Sequence, residues 1–350
     1  MQEGGRRDDS EIEPSAGRDT PWRPAVNGAC DDPELLAALD ARLGRMHARQ
    51  RLGIEDEKEQ QVIGGGRNLL HLEHSSLAAS LIRGTLRATG LYERGRRNAR
   101  ALRLRETEIG IARLPAALDG LRILHLSDLH LDMSPDIVPA IVERIRGLDY
   151  DLCVLTGDYR ARTFGDASRA VEGMARLREA LREPVFAVLG NHDSVRMVPP
   201  FEAMGIRMLL NEAAPVERHG AVLHLAGVDD AHFFRVDNLE KAAEALPEAG
   251  PAILLSHTPE IYRQAAHAGF DCYLCGHTHG GQICLPGGIP VILEASIPRR
   301  LGSGLWRHGA MQGYTSRGAG TSVVDVRFNC PGEVTLHRLR ASAAGARATQ

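Results

Sequence analysis

Aromatic residues make up only 4% of this chain, too few for a surface built to stack successive nucleic-acid bases. Charge of one sign is also lacking. The formal net charge is -3, from 42 Lys and Arg against 45 Asp and Glu, which gives no general attraction to polyanions. No long apolar run is present: the nearest, Leu69 to Ile82, is interrupted by His71, Glu73, His74 and three serines. It falls short of the roughly 18 apolar residues of a membrane span. Residues 1–28 are charged and rich in Gly, Pro and Arg, so they do not read as a secretory signal.

The six cysteines, at 30, 153, 272, 275, 284 and 330, form no disulfide framework, and a reducing, cytoplasmic location is expected. Cys272 and Cys275 make a CxxC, but no second CxxC completes a zinc ribbon. The segment Asp271–Cys275 reads as a short apolar strand, so both thiols are expected to be small buried hydrophobes.

What is present is an ordinary globular composition, 43% hydrophobic and 25% charged over 350 residues. The length suits two domains or one large one. Residues 1–28 are expected to be a disordered tail, and residues 29–105 a helical, Arg-rich extension. Within that extension Asp31-Asp32-Pro33 offers a helix start. Leu35, Leu36, Leu39, Leu43 and Met46 then recur at three- and four-residue steps, predicting an amphipathic helix over 33–51. Gly64-Gly65-Gly66 marks a break, and Ser75 or Ser76 starts a second helix to about Tyr92. Arg83, Arg87, Arg94, Arg96, Arg97, Arg100, Arg103 and Arg105 crowd one window. Such a segment is a candidate peripheral contact with an anionic membrane; the plainer reading is a solvated face packed on the main domain.

From 106 to 340 the pattern changes. Leu121–Leu126, Leu152–Leu155 and Val185–Leu189 read as buried strands, alternating with helices at 137–146 and 169–181. Further strands are expected at 222–226, 253–255, 272–274, 282–285, 321–326 and 334–339. This is α/β architecture, and two mixed sheets flanked by helices, a four-layer sandwich, would fit it. Residues 341–350 are Ala-rich and expected to fray.

Five polar clusters follow the predicted strands: Ser127-Asp128-Leu129-His130, Thr156-Gly157-Asp158, Gly190-Asn191-His192-Asp193, Ser256-His257 and Gly276-His277-Thr278-His279. Ligands of open α/β sheets collect beyond the carboxyl ends of strands, where these clusters fall. They supply the hard oxygen and borderline nitrogen donors that two divalent ions need, with a carboxylate able to bridge them.

These motifs, in this order over about residues 119–340, resemble the calcineurin-like metallophosphoesterase family. Gly280-Gly281-Gln282 and Thr315-Ser316-Arg317-Gly318 are similar to its bacterial YkuE/YaeI-type branch. The resemblance implies that Asp128, His130 and His279 hold one metal, that Asn191, His257 and His277 hold the other, and that Asp158 bridges them. It implies two divalent ions, manganese, iron or zinc, and a metal-bridging hydroxide attacking phosphorus. His192 would be the general acid, and Asp193 could orient its ring. Arg317 is a candidate contact for the substrate phosphate, with a salt bridge as its plainer role. His125, His219, His224, His232, His267, His308 and His337 are expected to be core or surface imidazoles. Asp229 and Asp230 are expected to form a turn outside the ligand set.

The expected activity is hydrolysis of phosphate esters, diesters or pyrophosphates. A nuclease would be expected to bring a basic groove or an added nucleic-acid domain, and no dedicated one is legible. A lipid-linked nucleotide-diphospho-sugar reached from the membrane surface is a further alternative. A non-catalytic scaffold would have lost donors, and none of this set is missing.

Overall fold

The computed structural model describes residues 32–63 and 76–342. The expectations for residues 1–28, for the glycine break at 64–66 and for most of the tail at 341–350 lie outside these.

The helical extension comprises α1 (Pro33–Leu43), α2 (Arg45–Ile63), α3 (Ser76–Ala88) and α4 (Tyr92–Arg100). The single helix expected over 33–51 is two, because Gly44 takes φ +83° and ends α1. Left-handed backbone of this kind is what glycine supplies at a helix terminus, and hydrophobic periodicity does not register it. The second helix likewise stops at Ala88, and α4 carries much of the Arg-rich window.

Next come β1 (Arg103–Ile111), β2 (Arg122–Leu126), α5 (Ile137–Ile145), β3 (Leu152–Thr156), α6 (Ser168–Arg178), β4 (Val185–Val188), α7 (Val198–Ala203) and β5 (Ile206–Met208). The second half holds β6 (Glu212–Arg218), β7 (Ala221–Gly227), α8 (Leu239–Ala243), β8 (Ala252–Leu255), α9 (Tyr262–His267) and β9 (Cys272–Cys275). A small hairpin, β10 (Cys284–Leu285) and β11 (Ile289–Pro290), precedes β12 (Gly304–His308), β13 (Met311–Thr315) and β14 (Glu333–Ala341).

Two six-stranded mixed sheets result, ordered β1-β14-β2-β3-β4-β5 and β12-β13-β9-β8-β7-β6. β1 pairs in parallel along the whole of β14, so the boundary expected between residues 105 and 106 falls inside a sheet strand. The two sheets bury Ile123, Val154, Val188, Leu225, Ile253 and Leu274 between them. α1, α2, α5, α6 and α7 cover the outer face of the first sheet, and α8 and α9 that of the second. The expected four layers are therefore present.

One expected strand is not. Residues 321–326 form an irregular loop in which Val323 has φ +61°. The Gln282 side chain takes the place of a neighbouring strand there: its amide donates to the Ser322 and Val324 carbonyls, and its oxygen accepts from Ser322 N–H. These bonds satisfy backbone groups that would otherwise be buried unpaired.

Arginines of the extension are partly consumed in holding it down. Arg100 forms a two-pronged pair with Asp325, Arg96 lies 3.5 Å from the same carboxylate, and Arg105 lies 3.3 Å from Glu333. Of the described helices, none is long and apolar enough to cross a membrane.

Candidate metal centre

β2, β3 and β4 run parallel in the first sheet, as do β8 and β9 in the second. Their carboxyl ends meet at one edge of the sandwich. Asp128, Asp158 and Asn191 follow the first three, and His257 and His277 the last two. Backbone bonds stitch the loops together: Asp128 N–H donates to Gly157 O at 3.0 Å, His130 N–H to Asp158 O at 3.0 Å, and Gly276 N–H to His257 O at 2.8 Å.

The loops pack so closely that two glycines are required by space. A Cβ on Gly276 would lie 1.9 Å from Ser127 Oγ and 2.2 Å from an Asp128 carboxylate oxygen; one on Gly190 would lie 2.2 Å from Asp158 Oδ1. Asp128, His130, Asp158, His277 and His279 all have positive φ, between 42° and 72°. Non-glycine residues in this region cost energy, and clusters of them mark functional sites.

All seven expected donors are buried. Asp128, His130, Asp158 and His279 offer ligand atoms within 4.8 Å of one another, and Asp158, His257 and His277 do the same. Asp158 belongs to both groups. Asn191 joins the second, its Oδ1 lying 2.9 Å from His257 Nε2.

Several features fit this pocket to divalent cations. His130 Nδ1 lies 2.8 Å from the Arg160 carbonyl and His257 Nδ1 lies 2.7 Å from the Thr156 carbonyl. A carbonyl only accepts, so each Nδ1 carries a proton and each Nε2 is turned to face the centre. His277 Nε2 is buried without a hydrogen-bond partner. Burial, reinforced by neighbouring imidazoles, pushes His277 and His279 well below the ordinary imidazole range, so both are neutral donors. Burial alone would lower His257 too, but the Asp158 carboxylate beside it raises it to about 10. A buried carboxylate that recruits a protonated imidazole is short of cationic charge. Burial, with Asp158 nearby, also raises Asp128.

His192 sits at the rim of this group, its Nε2 3.9 Å from Asp158 Oδ2. The expectation for Asp193 needs correction. Its carboxylate accepts from the N–H groups of Asp158, Tyr159 and Gly190 at 2.7–2.8 Å, bracing two donor loops. The His192 ring is met instead by Thr163, whose hydroxyl lies 3.0 Å from Nδ1. Arg317 faces Glu333 at 3.9 Å, which is its plainer expected role.

Four other contributors carried no site signal in the sequence, where His232 read only as a core or surface imidazole. On α2, Glu55 accepts from Ser194 Oγ at 2.6 Å and Val195 N–H at 2.8 Å, just after His192. One turn earlier, fully buried Arg51 donates to the Asp193 carbonyl at 2.9 Å. Arg327, also fully buried, fans its guanidinium across the carbonyls of His279, Arg317, Gly318, Gly320 and Cys330. His232 packs on His277, ring centroids 4.3 Å apart, with Glu260 2.9 Å from its Nδ1. A helical Arg-x-x-x-Glu reads as an ordinary surface ion pair, so no sequence signal distinguished the first two.

Asp230 accepts from three successive amides in a turn, and Asp229 is paired with His47 at 2.9 Å. Cys272 and Cys275 are buried free thiols pushed up by desolvation.

Residues 121–281 match the sequence profile described as calcineurin-like phosphoesterase. The uncharacterized metallophosphoesterase YkoQ of Bacillus subtilis is 30% identical over 229 residues, covering 63% of this chain and 83% of that protein. The phosphodiesterase YaeI of Escherichia coli is 30% identical over 236 residues, covering 62% and 82%. A transmembrane protein with a metallophosphoesterase domain from Danio rerio is 29% identical over 315 residues, covering 84% and 67%.

Proposed function

The chain belongs to the calcineurin-like phosphoesterase family, hydrolases of phosphate esters, and from that premise we propose that it cleaves phosphodiesters or pyrophosphates at a dinuclear centre. The observation that carries this reading is the convergence of donors on Asp158, with the His192 ring at its rim. Asp128, His130 and His279 would hold one ion, Asn191, His257 and His277 the other, and Asp158 would join them. Bound there, two divalent ions supply a lowered water pKa and neutralisation of phosphoryl charge.

The remaining work falls to the chain. Neutral imidazoles and an amide keep the negative charge of the pocket low, leaving positive field for a phosphate. The mixed oxygen and nitrogen set suits manganese, iron or zinc; manganese is the first to test. With Nδ1 of His192 engaged by Thr163, its Nε2 is the atom that would protonate the departing oxygen. The name of the YaeI relative favours a diester. Engagement of Arg96, Arg100 and Arg105 by acidic groups argues against a basic nucleic-acid groove on that segment. Among the described residues, five buried free cysteines agree with a reducing, cytoplasmic compartment.

The test is reconstitution of the metal-free chain with manganese, iron or zinc, followed by assays on bis(p-nitrophenyl) phosphate and on the monoester. Faster diester turnover is expected; a monoester preference removes that assignment. His192→Ala should keep both ions while turnover falls by about 10²–10⁴. An unchanged rate would end its role as acid.

A further inference from the structure

A groove of about 490 Å³ opens between α3 and the segments flanking the β10–β11 hairpin, and His277 and His279 form part of its wall. The other walls are mostly apolar: Leu81, Ile82 and Leu86 on α3 face Val291 and Ile292 beyond the hairpin. Eight large apolar side chains are left exposed among the described residues. Five of them, Leu81, Leu285, Ile289, Val291 and Ile292, sit on α3 or around this hairpin. Leu81 is 73% exposed. Isolated exposed leucines need no explanation, but a concentrated patch beside a reaction centre marks a binding surface.

We propose that this groove receives a long hydrocarbon chain carried on one ester arm of the substrate, so that the natural substrate is an amphiphilic phosphodiester. The inference deepens the dinuclear phosphoesterase reading and rests on it. The chemistry of the walls selects this occupant. Among the described residues Glu294 is the only Asp, Glu, Lys or Arg in the lining, so no described cation is there to meet a second phosphate. Thr278 and Gln282 are already bonded to backbone groups, which leaves few described polar groups to meet a sugar or a base. The phosphate would lie at the donors and the chain would run along α3. Because two of the metal-site histidines, His277 and His279, share the groove wall, an occupant is continuous with the reacting group. A second copy of the chain seated there would block it.

The experiment uses a series of p-nitrophenyl alkyl phosphates, methyl to octyl, below their micelle-forming concentrations. Hydrolysis adds the oxygen of water to phosphorus and releases p-nitrophenolate, leaving the alkyl arm on the phosphate. A fully buried methylene contributes about 0.8 kcal/mol, or about fourfold. In a half-open groove kcat/KM should rise about twofold per methylene. Leu86→Asp and Ile292→Asp, on opposite walls, should each pull the octyl-to-methyl ratio down by about tenfold or more. Equal kcat/KM across the series overturns the inference while leaving the phosphoesterase reading intact, provided bis(p-nitrophenyl) phosphate is turned over. If that diester is not cleaved, the phosphoesterase reading fails by itself. Fluorescence binding of a dansyl-tagged undecyl phosphate to the metal-free chain then decides the groove separately. Saturable binding, weakened about tenfold by both variants, supports it; binding that is absent or indifferent to them overturns it.

Discussion

Replacing Glu55 with Ala tests whether the helical extension is part of the working centre. The Glu55 carboxylate is 5% exposed and accepts from Ser194 Oγ, Val195 N–H and Arg196 Nη1 at 2.6, 2.8 and 2.9 Å. It also lies 3.4 Å from Nε of Arg51, itself fully buried. Removing it strands a buried amide and a hydroxyl, each costing about 1–3 kcal/mol. It also leaves a buried guanidinium short of one partner, a loss of about 3–5 kcal/mol when such pairs are broken. These losses share one network and do not add. Asp229, 3.6 Å from Arg51 Nε, keeps part of the charge balanced. The net expectation is about 3–5 kcal/mol, a large share of the roughly 5–15 kcal/mol that typical folds possess. Urea denaturation of the metal-loaded protein measures it. Ser194 and Val195 come just beyond Asp193 on the loop that carries His192, so kcat should fall as well, with metal content unchanged. Glu55→Gln, which keeps one acceptor oxygen, should recover part of both losses. A stability change within about 0.5 kcal/mol, the range of an ordinary surface substitution, together with unaltered kcat, would refute the clamp.

Three further outcomes follow from the geometry. Gly276→Ala must push Ser127 and Asp128 aside; an overpacking cost of about 1–3 kcal/mol and weakened metal uptake are expected by thermal melting and metal titration. Thr163→Val removes the hydroxyl at His192 Nδ1, a bond of about 1 kcal/mol, so kcat should drop about fivefold with metal content unchanged. The third concerns acid. Burial drives His125 down to about 3 and His337 well below the ordinary range. In the unfolded chain both titrate near 6.5, so below that pH the unfolded state binds more protons and stability falls as pH falls, down to about 3. His125→Gln should flatten this loss in urea titrations at pH 4–7; an unchanged slope would contradict it.

The donor clusters were legible because each stands just after a short, mostly apolar strand, and the parallel β2-β3-β4 and β8-β9 pairs carry them to one edge. Periodicity also located β7 and β14, whose alternating residues face the inter-sheet core. It did not reveal β1, where Arg103, Arg105, Glu106 and Glu108 mask the alternation and the partner strand lies over 200 residues away. Nor could it separate 321–326 from a strand, since the decisive partner is the Gln282 side chain. Gly44 was invisible to a hydrophobic count for the same reason that it matters, its backbone angle. Arg51, Glu55 and Arg327 escaped notice because charge in sequence says nothing about burial. Adjacency in sequence points Asp193 to His192, whereas the loop turns its carboxylate toward three backbone amides.

Metal content per chain, measured after equilibration with a weak competing chelator, tests the central claim most directly. Two divalent ions per wild-type chain are expected, and Asp158→Asn, by removing the one carboxylate common to both donor groups, should weaken both together. A single ion in the wild type, or two tightly held ions in Asp158→Asn, would contradict the account.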